Sequence, residues 1–300
     1  MIKKTALSVV MLLSISLQAV AKDVTNLKQN IEDLLATKNA TVGVEIVGPH
    51  RKDVVSINSH ARFPMQSVFK FHIALVVLSE VDKGKLSLEQ NITLDKSQLL
   101  PGLWSPIREK YPEGVTLPLA EIVEYTVALS DNAGCDALLR LLGGPLVVEN
   151  YFAGLGFKDF EVKINEETMQ SDWDSQFLNW TSPAESNRIL IRFFENKNNE
   201  LSPQSHNFIW GVMKGTKTGK NRLRGYLPEK TVVAHKTGWS GRNKKTGVTA
   251  AVNNVGIVFL PNGEHFFISV FVTDSREDFN TNERIIADIA RAAWDYFTAD

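Results

Sequence analysis

From Ser67 to Val81 the chain is apolar at most positions, and Ile73, Ala74, Leu75, Val76, Val77 and Leu78 leave no polar side at all. A helix of this pattern is buried through the middle of a domain rather than laid on its surface. Pro64 ends any earlier helix, which places Ser67 in the first turn. Elsewhere the pattern is amphipathic. Leu27, Ile31, Leu34 and Leu35 recur at helical spacing between Asp23 and Ala36, with Asn26 as the expected cap. Thr41 to Val47 and Asp53 to Ser59 alternate around Gly48-Pro49-His50 and predict a hairpin. The turn-rich stretch from Asp95 to Thr116 reads as loops and short helices. Helices follow over Leu119–Leu129, Ala133–Leu142 and Pro145–Leu155, the second closed by Gly143-Gly144. Glu161 to Thr181 lacks a period and reads as a long surface loop, and Pro183–Phe194 and Pro203–Met213 are two more helices. The character then changes to β-rich runs over Thr231–Ala234, Val248–Leu260 and Phe266–Thr273, the last two joined by Pro261-Asn262-Gly263. A final helix covers Asn280–Phe297.

Helix and hairpin open the chain, hairpin and helix close it, and helices fill the middle. Burying these faces predicts an α+β fold: an antiparallel sheet built from both ends, flanked by the terminal helices, with an all-helical insert beside it. The expected division is 22–61 with 215–300 as the α/β part and 62–214 as the all-α part. Residues 1–21 read as a signal peptide: Lys3 and Lys4, an apolar Thr5–Leu17 too short to span a bilayer, and Ala19-Val20-Ala21 as a cleavage site. The expected product is a periplasmic protein, a monomer with no membrane anchor after processing.

The 300 residues carry 33 Lys+Arg against 34 Asp+Glu; losing Lys3 and Lys4 leaves 31 − 34 = −3. So mild an acidity argues against nucleic acid as a partner. The single cysteine, Cys135, excludes an intramolecular disulfide and reads as a small buried apolar residue. Six histidines without metal spacing predict neither metal nor cofactor.

The candidate chemistry begins at Ser67-Val68-Phe69-Lys70. Positions i and i+3 share a helical face, so the Lys70 amine can reach the Ser67 hydroxyl as the activating partner of a nucleophile. The positive end of the helix favours the negative charge such a step creates. Ser130-Asp131-Asn132 puts a hydroxyl, a carboxylate and an amide in one turn between helices, which capping alone also explains. Lysine-threonine-glycine occurs three times. Lys217-Thr218-Gly219 and Lys245-Thr246-Gly247 lie in polar segments and read as solvated loops, whereas Lys236-Thr237-Gly238 continues a strand, where Gly238 leaves room for a ligand. Neither His72 nor His235 falls on a face with these groups, which excludes a Ser-His-Asp triad.

Ser67-Val68-Phe69-Lys70, Ser130-Asp131-Asn132 and Lys236-Thr237-Gly238, in that order and at those intervals, resemble the three motifs of class A serine β-lactamases and their penicillin-binding relatives. The resemblance covers nearly the whole chain after the signal peptide. Gln66, before the nucleophile, is similar to the branch of extended-spectrum and cephalosporin-directed enzymes. It implies a β-lactam substrate attacked by Ser67, with the backbone N–H groups of Ser67 and Trp239 as oxyanion hole. Ser130 would return a proton to the lactam nitrogen, Asn132 would hold the substrate's side-chain amide, and Lys236 and Thr237 its carboxylate. Arg222, or else Arg224, resembles a supplementary carboxylate-binding arginine. Glu166, beside Glu167, resembles the glutamate that activates the deacylating water; whether it or Lys70 takes the first proton stays open. Two places depart from the family: Gln170 stands where asparagine is common, and Ile164 and Asn179 where many members place an arginine–aspartate brace. The competing expectations are a D-alanyl-D-alanine peptidase and a periplasmic sensor that stays acylated, and Glu166 argues against both.

Overall fold

The computed structural model describes residues 23–299, so the expected signal peptide lies outside the described residues. The chain opens with α1 (Val24–Ala36), capped by the Asp23 carboxylate, which accepts from the Thr25 N–H, and not by Asn26. The opening hairpin is β1 (Thr41–Val47) and β2 (Val54–Ile57). Pro64 lies in the short strand β3 (Phe63–Pro64); a 3-10 turn over Gln66–Val68 then leads into α2 (Phe69–Asp82). Ser67 therefore sits in that turn, one step before the α-helix proper.

The stretch read as loops between Asp95 and Thr116 holds more order than its composition suggests. β4 (Asn91–Asp95) and β5 (Gly114–Pro118) form a two-stranded ribbon around α3 (Pro106–Lys110). Then come α4 (Leu119–Ala128), α5 (Asn132–Leu142) and α6 (Pro145–Gly154), close to their predicted ranges. The stretch from Glu161 to Thr181 is likewise not a plain surface loop. It contains α7 (Glu166–Ser171) and is closed by β6 (Phe160–Glu161) and β7 (Trp180–Thr181), both β6 and β3 pairing with β7. Next are α8 (Pro183–Glu195) and α9 (Pro203–Lys214), each capped by the serine before its proline. The chain closes with β8 (Val233–Trp239), β9 (Val252–Phe259), β10 (His265–Thr273) and α10 (Phe279–Thr298).

The main sheet is antiparallel in the order β2-β1-β10-β9-β8, with β1 and β10 in register from Thr41↔Thr273 to Val47↔Phe267. Its strands are apolar on both faces because both are covered. Val44, Ile46, Ile268 and Val270 pack with Leu27, Ile31, Ile285 and Ile289 from the terminal helices. Phe267 and Phe271 instead face the helical side, where α2 is buried from Phe69 through Ser79. Burying one such leucine or isoleucine contributes about 1.5–3 kcal/mol, so α2 is a mount that resists displacement. Among the described residues no helix is long and apolar enough to cross a membrane.

Candidate active site

The turn at Ser67 and the strand β8 meet closely. A Cβ on Gly238 would lie 2.5 Å from the Met65 carbonyl, so this glycine admits the nucleophile's own turn rather than a ligand. The Asn253 side-chain amide fastens the same turn, donating to the Pro64 and Met65 carbonyls at 2.8 and 3.1 Å. Gln66 and Ser130, both flanking this centre, adopt left-handed backbone with φ of 46° and 60°. Such conformations persist where surrounding structure over-determines them, and they cluster at functional sites.

Lys70, fully buried at the start of α2, gathers the other groups. Its Nζ lies 2.9 Å from Ser67 Oγ, 2.9 Å from the Ser130 carbonyl, 2.5 Å from Asn132 Oδ1 and 2.9 Å from Glu166 Oε1. Ser67 Oγ is itself 3.4 Å from that Glu166 oxygen. Lys236, equally buried, donates to Ser130 Oγ at 2.9 Å and to the Thr237 carbonyl at 3.1 Å. Burial holds its ammonium pKa well below the usual lysine range, the charge of Lys70 adds to this, and Glu166 opposes it. The Ser130 turn is set from behind by Asp131. Its carboxylate caps α5 by accepting from the Gly134 N–H and also accepts from the Ile107 N–H and the Ser105 hydroxyl. Burial raises the Asp131 pKa, and these bonds oppose the rise.

A cleft of about 450 Å³ opens over these groups, lined by Ser67, Ser130, Asn132, Gln170, Thr237 and Trp239 among others. Arg222 also lines it, and of the two arginines only this one does. It donates to the Gly238 and Asn253 carbonyls and pairs with Glu283 at 3.1 Å, whereas Arg224 binds the Lys214 and Val233 carbonyls. The structure thus brings the predicted site residues to one centre, with Arg222 and not Arg224 among them. It keeps the two histidines out. His235 faces Asn254, and His72 packs against the rings of Phe71, Phe152 and Phe160; burial brings both pKa values down to about 3. Cys135 is buried as expected.

One segment set aside in the sequence belongs here. Lys217-Thr218-Gly219 is no solvated loop: it runs along the free edge of β8, where Thr216 donates to the His235 carbonyl and the Thr218 and Thr237 hydroxyls lie 2.6 Å apart. Thr218 lines the cleft. A side chain on Gly219, at φ +66°, would collide with Thr237 at 2.5 Å. The repeated motif was the available signal. Lys245-Thr246-Gly247 does lie in an exposed turn.

At Ile164 and Asn179 the loop that carries Glu166 is braced by hydrogen bonds in place of an ion pair, while Lys163 pairs with Glu149 on α6 at 2.6 Å. The Asn179 side chain accepts from the N–H groups of Lys163 and Ile164 and donates to the Ile164 carbonyl. Asp136, on α5, accepts from the N–H groups of Glu166 and Glu167 and from Asn165. Gln66 donates to Gln176 at 2.7 Å, tying the nucleophile's turn to the same loop. Asp136 and Gln176 carried no sequence motif.

Known proteins share this chain's sequence and fold. The model of the "Beta-lactamase enzyme family" matches residues 26–297. The chain is 51% identical to beta-lactamase VEB-1 of Pseudomonas aeruginosa, covering 91% of this chain and 90% of the relative. It is 42% identical to the extended-spectrum beta-lactamase PER-1 of the same organism, covering 90% and 87%. The crystal structure of the TLA-1 extended-spectrum beta-lactamase superposes with a TM-score of 0.88 at 45% identity, covering 92% of this chain and 99% of that one. The family match over most of the chain, the identities and the shared fold lead to one assignment: the chain belongs to the β-lactamase enzyme family, among its class A serine enzymes.

Proposed function

We propose that this protein hydrolyses the lactam amide of cephalosporins and penicillins through an acyl-enzyme on Ser67, and so confers β-lactam resistance. The observation that carries the reading is that Lys70 Nζ lies 2.9 Å from both Ser67 Oγ and Glu166 Oε1. One amine thereby joins the nucleophile to the carboxylate that serves as base for deacylation. Ser67 Oγ attacks the carbonyl and its proton passes to Lys70 or Glu166; their 2.9 Å contact lets either route converge on the glutamate. The oxyanion is held by the N–H groups of Ser67 and Trp239, donors already fixed in place before charge develops. As the C–N bond breaks, Ser130, with Lys236 against its hydroxyl, gives its proton to the nitrogen and takes up the one removed from Ser67, which leaves Glu166 ionised. Glu166 then takes a proton from water, which attacks the ester, and that proton passes to Ser67 Oγ as it leaves.

Thr237, Arg222 and Lys236 provide the positive, hydrogen-bonding end that a substrate carboxylate needs, Asn132 takes the side-chain amide, and Gln170 stands at the loop side of the cleft. Asn179, Asp136 and Gln176 fasten the loop in place of the ionic brace, so its absence is no argument for a wider cleft. Activity on bulky cephalosporins is supported by the extended-spectrum relatives instead. We further propose that the enzyme acts as a monomer in the periplasm, with the site between a part formed by 22–61 and 215–300 and a part formed by 62–214. Purified protein lacking residues 1–21 should turn over a chromogenic cephalosporin steadily. A single stoichiometric burst would favour a penicillin-binding protein or sensor.

A further inference from the structure

Two aromatic rings stand exposed at the mouth of the cleft, at its carboxylate end. Trp239, the last residue of β8, keeps 54% of its surface exposed, and Phe279, the first residue of α10, keeps 40%. Their centroids are 4.8 Å apart with the ring planes tilted by 50°. The tilt leaves much of both rings uncovered. An exposed aromatic pair beside a polar cleft offers ring faces and edges to a group that enters the cleft.

Its position says which part of a substrate it meets. Along β8, Thr237 and Trp239 are two residues apart and so project to the same side. The Arg222 guanidinium lies 5.8 Å from the Phe279 ring and donates to the Gly238 carbonyl, between Thr237 and Trp239 in sequence. The two rings therefore adjoin the groups proposed to receive the substrate carboxylate. In a cephalosporin the carboxylate is on C4 of the dihydrothiazine ring, and the neighbouring carbon, C3, carries the variable substituent. Penicillins have only methyl groups beside their carboxylate. We propose that Trp239 and Phe279 form a stacking platform that makes the enzyme select cephalosporins with a planar aromatic or heteroaromatic C3 substituent. Phe279 acts by holding the indole in place, and Trp239 makes the contact. This rests on the β-lactamase reading above.

Offset or edge stacking of one aromatic pair adds about 0.5–1.5 kcal/mol beyond area burial, a preference of about 2- to 13-fold. The test compares two cephalosporins with the same C7 acylamino group, one carrying a 3-arylvinyl and one a 3-vinyl substituent, neither of which leaves on ring opening. Steady-state kinetics and melting temperatures are measured for the wild type, Trp239→Leu and Phe279→Leu. Dividing each variant's arylvinyl-to-vinyl ratio of kcat/KM by that of the wild type cancels intrinsic reactivity and any general loss of activity. The expected result is a fall in that ratio of about 3- to 10-fold in Trp239→Leu and a smaller fall in Phe279→Leu. The loss should sit in the KM of the arylvinyl substrate, with folding retained. Unchanged ratios in both variants, with both substrates hydrolysed, would overturn the platform alone. Failure of the wild type to turn over either substrate would overturn the hydrolase reading on which it stands.

Discussion

At the scale of single residues the centre is organised by shared partners. Replacing Glu166 by Gln removes the proposed deacylation base while leaving Lys70 beside Ser67, so acylation should proceed and the ester should persist; mass spectrometry should find a lasting drug adduct on Ser67. Rapid loss of that adduct would move the role to Glu167. Thr218 makes a finer prediction. If the Thr237 hydroxyl donates to a substrate carboxylate, its oxygen must accept from Thr218, 2.6 Å away. Hydrogen bonds in such a chain strengthen one another. Thr218→Val should raise KM about 3- to 10-fold for carboxylate-bearing β-lactams with kcat nearly unchanged, and Thr218→Ser should restore it. Equal KM values for Val, Ser and Thr would show that Thr237 needs no such support. Residues of this kind mark the limit of what the sequence discloses. Ser67 and Lys70 were legible because helical spacing alone brings them together, and Lys236 because a strand leads into it. The positive φ of Gln66 and Ser130, and the reach of Thr218 across a sheet edge, depend on chain segments distant in sequence.

At the scale of elements the loop around Glu166 shows how polar side chains replace an ion pair. Asn179 satisfies two N–H groups and a carbonyl at the loop's neck. Asn179→Ala leaves buried polar groups unpaired, at about 1–3 kcal/mol. It should lower Tm by several degrees and slow deacylation more than acylation; an unchanged Tm would mean that the loop is held without Asn179, by Asp136 and Gln176. Burial raises the Asp136 pKa from 3.8 to about 6, against the hydrogen bonds it accepts from Glu166 and Glu167. The folded state therefore binds a proton between those values that the unfolded chain does not. This site's contribution to stability rises as pH falls from about 6 to about 4. Denaturant titrations across that window should show the wild type gaining on Asp136→Asn as pH drops. A constant difference would mean that Asp136 titrates normally. The order in this loop and in the β4–β5 ribbon escaped the sequence reading because their strands span only two to five residues, too short for alternation to outweigh the surrounding turn residues.

At the scale of the whole molecule the sheet is covered on both sides and the deepest helix is ringed by aromatic side chains, which makes acid a particular hazard. His72 and His235 are held neutral by burial with pKa values near 3, while an unfolded histidine takes its proton near 6.5. Stability should therefore fall as pH drops from about 6.5 toward 3. His72→Leu should move the acid unfolding midpoint to lower pH, and an unmoved midpoint would assign acid sensitivity to other groups. The general architecture was readable because both ends of the chain alternate and the middle does not. The pairing of its ends was a matter of packing logic, and the register of β1 on β10 carries it furthest. Thr41 meets Thr273, a separation of 273 − 41 = 232 residues, so the centre of the sheet cannot assemble until nearly the whole polypeptide is available. Contacts so distant in sequence make folding slow. A chain emerging from its N-terminus first thus cannot close its main sheet until β10 has been made, so its shape is completed only at the end of synthesis.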